Sequence, residues 1–240
     1  MLIEEVKKKI LESFDKLVFV EKSHKYYLDG EELIPVSNVI HKFKPHFDAK
    51  LIAGFVAKKN GTTVEAVLAE WKEISTKACE FGTEVHNFAE RYFYDRTLVP
   101  KSPIEKAVVL FFNDMPDNLI PILSETKVYS KELGYAGTFD LLCYHVGKTE
   151  EESGLVIFDY KTNEDLYKNF KEQKLLYPFE NLLDMALNVY KLQLSCYQIP
   201  LEDIGFKVLG RRIIWLKKDG TYEKIKLEGY SHILRQVINN

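Results

Sequence analysis

Two stretches of this chain put an aspartate at the end of an apolar run: GTFDLL at 137–142 and GLVIFDYKT at 154–162. Asp159 and Lys161 are two residues apart, so in a strand their side chains share one face. The carbonyl of Tyr160 between them is a further oxygen donor. Asp140 lies in the preceding strand segment, and a hairpin of the two segments would let Asp140 and Asp159 meet. Carboxylates crowded among apolar neighbours lose hydration and repel each other, and they need a proton or a cation between them. Hard divalent cations take oxygen ligands of this kind. An ammonium on the same face can orient or deprotonate a water, or neutralise developing negative charge. The set suits metal-assisted attack of water on a phosphodiester. A D-x-K tripeptide by itself is common at exposed strand ends; the apolar flanks and the room left by Gly137 are what argue against that here.

The order GTEVH (ending at His86), GTFD, FDYKT and QLSCYQ resembles the PD-(D/E)XK nuclease superfamily in its RecB-type, lambda-exonuclease-like branch, over roughly residues 80–200. The resemblance implies a restriction-endonuclease-like α/β (α+β) core, a mixed central sheet flanked by helices. It implies that Asp140, Asp159 and the Tyr160 carbonyl bind metal, that His86 adds a ligand, and that Lys161 assists the attacking water. Gln193 and Tyr197, one turn apart on a helix, would steady the site or the substrate strand. Glu125, in LSETKVYS, corresponds to a strand glutamate found near such sites. The cofactor implied is one or two magnesium or manganese ions. The proline that names the superfamily is missing before Asp140. The cysteines of cluster-bearing relatives are absent, so no iron–sulfur cluster is expected.

The elements that must position these residues are legible in outline. The stretch MLIEEVKKKILESF has an amphipathic helix pattern, and KLVFVEKSHKYYLDGEELIP alternates around a turn at Asp29-Gly30. Ser37 is a candidate cap for a short helix and Asp48 for a second one reaching about Lys59. Helical spacing then runs from Thr62 to Asp95, with Gly82 expected to kink or split it. Ser102-Pro103 starts another helix. Three strand patterns follow, beginning at ILSETKVYS, then a long unpatterned connection over 163–189, a helix to Asp203, two strands turning at Asp219-Gly220, and a last helix to Asn240. That order predicts a mixed α/β fold in one domain, 1–240, with residues 1–80 as a hairpin and helical elaboration and 81–240 as the catalytic core.

Composition narrows the class. With 46% apolar and 13% aromatic residues, the 240-residue chain can bury a sizeable core. No apolar run is long enough for a membrane span, and the N-terminal stretch lacks the apolar centre of a signal peptide. Three scattered cysteines, Cys79, Cys143 and Cys196, point to a reducing, intracellular setting. A net charge of −3 offers no overall attraction for a polyanion, so nucleic acid would have to meet a local basic surface. Lys168, Lys171 and Lys174 would share one face if their segment were helical, with aromatics interleaved for stacking on a single strand. Lys58-Lys59, Arg211-Arg212 and Lys217-Lys218 are further basic pairs. The expected partner is DNA at an end, with a recombination protein as a second partner and no membrane. The expected activity is a metal-dependent exonuclease in recombination, repair or viral DNA processing; a structure-selective endonuclease and a DNA-binding subunit with a vestigial site are the alternatives.

Overall fold

The three strand patterns form the centre of the structure as β4 (Leu119–Ser130), β5 (Tyr135–His145) and β6 (Gly154–Lys161), antiparallel with β5 in the middle. β6 is buried from Gly154 to Tyr160, as its apolar run requires of a strand covered on both faces. β7 (Val208–Leu216) joins β6 in parallel, and β8 (Tyr222–Leu227) returns antiparallel to it. A parallel step needs a crossover, and α6 (Ala186–Asp203) supplies it. At the other side, β1 (Leu17–Val20), β2 (Lys25–Leu28) and β3 (Glu31–Pro35) form a meander. Its Asp29-Gly30 turn has positive φ at both residues, 52° and 89°, which is what a two-residue hairpin loop demands. β3 then joins β5 in parallel through Ile34–Tyr135 and Pro35–Ala136. The computed structural model describes residues 2–238, and among these residues the eight strands make one mixed sheet flanked by helices.

Alternation along the strands sorts the core into two layers. Leu155 and Ile157 pack with Ile10 of α1 (Ile3–Ser13), Val39 of α2 (Val36–His41), Leu192 of α6 and Leu234 of α7 (Ser231–Val237). Val156, Phe158 and Tyr160 pack on the other side with Phe88 and Tyr92 of α4 (Val64–Tyr94) and Phe111 of α5 (Pro103–Asn113). α3 (Ala49–Asn60) makes a small separate cluster, in which Ala53 and Ala57 meet Val67 of α4. Among the described residues, no helix is long and apolar enough to cross a membrane.

Several local expectations have clear outcomes. Asp48 caps α3 by accepting from the Leu51 amide, and Ser102 with Glu105 forms a capping box on α5. Ser37 does not cap α2: the helix starts at Val36, directly behind Pro35. Gly82 does not split α4, which runs unbroken for 31 residues. A mid-helix glycine costs only about 1 kcal/mol against alanine, too little to break a helix anchored by buried Val67 at one end and Val85, Phe88, Ala89 and Tyr92 at the other. The first and last helix patterns of the sequence extend to Met1 and Asn240; Met1, Asn239 and Asn240 lie outside the described residues.

Gly137 of β5 lets α2 and α6 close on the sheet. A β-carbon there would lie 2.7 Å from Tyr197 Cε1 and 3.0 Å from Val36 Cγ2. Gly137→Ala should therefore overpack this junction and lower stability by about 1–3 kcal/mol, read from urea unfolding; an unchanged midpoint would mean that Tyr197 is free to move aside.

Candidate metal centre

The centre sits where the sheet forks. β4 occupies one edge of β5 throughout, so β3 and β6 must share the other edge. β6 stays paired with β5 only as far as Phe158–Leu141, and β3 touches it only at Tyr135 and Ala136. Gly137 to Asp140 are left between the two. Beyond Phe158, residues Asp159, Tyr160 and Lys161 pair, among the described strands, only with β7. A buried amide without a partner is costly, and the Asp140 side chain removes that cost: its Oδ2 accepts from the Tyr160 N–H at 2.6 Å. Asp140 and Asp159 thus lie one step past the last rung, 6% and 1% exposed.

α4 and β4 bring in the other polar groups. The buried stripe Val85, Phe88, Ala89 and Tyr92 seats α4 on the sheet and leaves His86 beside the end of β6. His86 Nε2 donates to the Tyr160 carbonyl at 3.2 Å. Its Nδ1 lies 3.4 Å from Glu125 Oε1 and 3.5 Å from Asp140 Oδ1. Glu125 faces this point from within β4, where its φ of 45° is left-handed. A non-glycine residue in that conformation costs roughly 1–3 kcal/mol, and such strain concentrates at functional sites. Ser124 and Thr126 remain in register with Leu141 and Phe139, so the distortion is confined to the one residue that turns towards His86.

One ligand atom from each of His86, Glu125 and Asp140 lies within 4.8 Å of the others, a group able to hold a metal ion. The donor set fits a cation for a specific reason. With Nε2–H donating to a carbonyl, a neutral imidazole would aim the Nδ1 lone pair at two carboxylates. The arrangement is favourable only with a proton or a metal ion at that point. Without a metal, the proton takes the place: burial opposes the charged form of His86, but Asp140 and Glu125 outweigh it and raise its pKa well above the ordinary value. Burial likewise raises Glu125, against the pull of His86. Burial also opposes ionisation of Asp140, yet His86, Lys161 and the Tyr160 amide bring its pKa below the usual value.

Lys161 and Asp159 form a buried ion pair next to this group. Among the described residues, Asp159 Oδ2 has no partner besides that ammonium. Burial and the charge of Asp140 push the Asp159 carboxyl up to about 6. Burial disfavours the Lys161 ammonium, but Asp159 and Asp140 more than compensate and raise its pKa. The Tyr190 ring covers the ammonium at 4.5 Å. On the same helix, Gln193 Nε2 donates to Tyr197 OH at 2.9 Å; Tyr197 is buried, and burial with the nearby Asp159 keeps its hydroxyl protonated.

The fork therefore gathers His86, Glu125, Asp140, Asp159, Tyr160, Lys161, Gln193 and Tyr197. It divides them as spacing could not: Glu125 stands in the metal-holding group, while Asp159 is the counter-ion of Lys161. Lys168, Lys171 and Lys174 do not share a helix face. The chain from Thr162 to Met185 holds no helix, and Lys171 and Glu172 are left-handed, with φ of 50° and 55°. Leu166, Leu175 and Phe179 are buried in the core, and they pin this segment by side chains rather than by a helical period. The three lysines are exposed. Other basic pairs are engaged elsewhere: Lys217 pairs with Glu223, Lys218 with Glu164, and Arg211 with Gln198. Tyr190 is a site residue that sequence reasoning missed, although its spacing from Gln193 and Tyr197, i, i+3 and i+7, marks one helix face. No protein-family model matches this chain, and no curated protein matches it.

The titrations fix the sign of a linkage. His86, with a raised folded pKa, stabilises the metal-free protein below about pH 6.5, and that contribution is lost as pH rises through the raised value. Asp159, held near 6, acts in the same direction between about pH 4 and 6. A divalent ion replacing the proton should therefore raise the melting temperature more at pH 8 than at pH 5.5. Thermal unfolding with and without manganese checks this, and His86→Ala should abolish most of the manganese shift.

Proposed function

We propose that this chain is a divalent-metal-dependent nuclease that hydrolyses phosphodiester bonds in DNA, of the PD-(D/E)XK kind in its RecB-type, lambda-exonuclease-like branch. The observation that carries the reading is the meeting of a metal-holding group, His86, Glu125 and Asp140, with a buried Asp159–Lys161 pair at one strand fork. A sheet edge needs one acceptor for the freed Tyr160 amide, which Asp140 supplies; it does not need the further ionisable groups gathered there. Buried charge of this density is a common mark of a site that does chemistry.

A magnesium or manganese ion held there supplies Lewis-acid polarisation of a phosphate and a water acidic enough to act as nucleophile. The protein's own groups do the rest. Asp140 and Glu125 provide negative oxygens, and His86 a nitrogen whose orientation the Tyr160 carbonyl fixes. The second lone pair of that carbonyl is a further oxygen donor. Asp159 holds Lys161 as an ammonium, so Lys161 acts by neutralising charge at the attacked phosphate and by orienting water through its N–H groups. Gln193 and Tyr197 close the site from α6. Exposed Lys168, Lys171 and Lys174 offer phosphate contacts without sequence preference. We take the activity to be exonucleolytic, in recombination or viral DNA processing inside a cell. Complete filling of the polar positions favours an active enzyme over a vestigial site.

End-labelled linear DNA and circular DNA, each with magnesium, manganese or chelator, test the reading. Metal-dependent loss of the linear substrate alone is the expected result. Asp140→Asn and Lys161→Met should each slow it roughly 100-fold or more while far-ultraviolet dichroism stays native. Equal cutting of circles would make the protein an endonuclease, and no cutting with either metal would remove the hydrolytic reading.

A further inference from the structure

The fork opens into a cleft of about 330 Å³ that shares Glu125 and Asp140 with the metal-holding group. Its outer wall comes from the N-terminal meander: Phe19 of β1, His24 from the β1–β2 connection and Tyr26 of β2. These rings form one assembly, Phe19 lying 4.6 Å from Tyr26 and 5.1 Å from His24, centroid to centroid. Tyr26 is tied to the cleft floor by its hydroxyl, 3.1 Å from Thr138 Oγ1. His24 is exposed and left-handed, with φ of 53°.

We propose that this cleft is a subsite for a single unpaired nucleobase, adjoining the bond that is cut, and that the substrate is therefore a strand with an unstacked terminal nucleotide. This rests on the nuclease reading above. Three features support it. The cleft volume lies at the bottom of the range for small-ligand pockets, ~300–1,000 Å³, which suits one nucleotide-sized group and not a base pair. Among the described residues, no lysine or arginine lines the cleft, while two carboxylates do; it takes the neutral part of a nucleotide and leaves the phosphate to Lys161 and the metal-holding group. Tyr26 is buried and backs the wall, while the more open Phe19 and His24 rings can stack on any base; the hydroxyls of Ser37 and Thr138 and the Gln193 amide give polar edges without imposing one sequence. Outside the cleft, Lys127 lies over Phe19 at 5.9 Å, where it meets the backbone of the same strand.

The test compares two single-stranded DNA oligonucleotides in manganese, identical except that one carries an abasic residue at its terminal position. In the wild-type protein, loss of the base should raise KM roughly ten- to hundred-fold. In Phe19→Leu, which keeps an apolar side chain and loses the ring face, the intact oligonucleotide should bind as weakly as the abasic one. His24→Ala, at an exposed position, serves as a second variant with less risk to folding and should shrink the difference. Manganese affinity of both variants, read by calorimetry, should match the wild type. Cleavage of both oligonucleotides with equal KM by the wild type would overturn the subsite and leave the hydrolytic reading standing. An abasic penalty that persists undiminished in both variants would place the base elsewhere and also overturn it. Failure of the wild type to cut either oligonucleotide in manganese would remove the nuclease reading, and the subsite with it.

Discussion

Negative charge is held in one place here by groups that cannot all be satisfied by water. Asp140, Asp159 and Glu125 converge where β5 and β6 part, and the first two are almost wholly buried. Two positive partners answer them. Lys161 is permanent and covalently fixed two residues from Asp159. The other lies at His86 Nδ1, where a proton and a metal ion can exchange. The rest of the structure follows from keeping this balance: remove either partner and a carboxylate is stranded in a low-dielectric setting, which typically costs several kcal/mol for a buried pair.

The fold supplies the fork by sharing an edge. Because β3 takes the start of β5 and β6 the end, four residues between them face neither strand. The freed backbone is recaptured by side chains, with Asp140 accepting from Tyr160 and His86 donating to its carbonyl. The same gap is closed from one side by α6, and Gly137 allows Tyr197 to come that near. The sheet and the metal-holding group use the same atoms, so the group cannot drift without the sheet moving with it.

Much of this was legible in the amino-acid sequence. The apolar run ending in Asp159 fixes β6 as a central strand, and the two-residue step to Lys161 sets both on one face. Cap residues placed α3 and α5. What was not legible depends on tertiary geometry. Nothing in LSETKVYS announces that Glu125 leaves the strand conformation. Nothing local says that Asp159 answers Lys161 first. The segment from Thr162 to Met185 has lysines at a helical interval and no helix, because scattered apolar anchors hold it instead. Gly82 looked like a break, and the contacts on either side of it overrode its propensity.

Glu125 carries a tension between durability and use. Its left-handed backbone would be relaxed by glycine or asparagine, the residues that adopt it at least cost. Glycine would keep the strand and discard an oxygen facing His86; asparagine would keep a shorter, uncharged one. Selection for thermal robustness alone would favour a residue other than glutamate at this position; glutamate is the choice that keeps a charged oxygen 3.4 Å from His86 Nδ1.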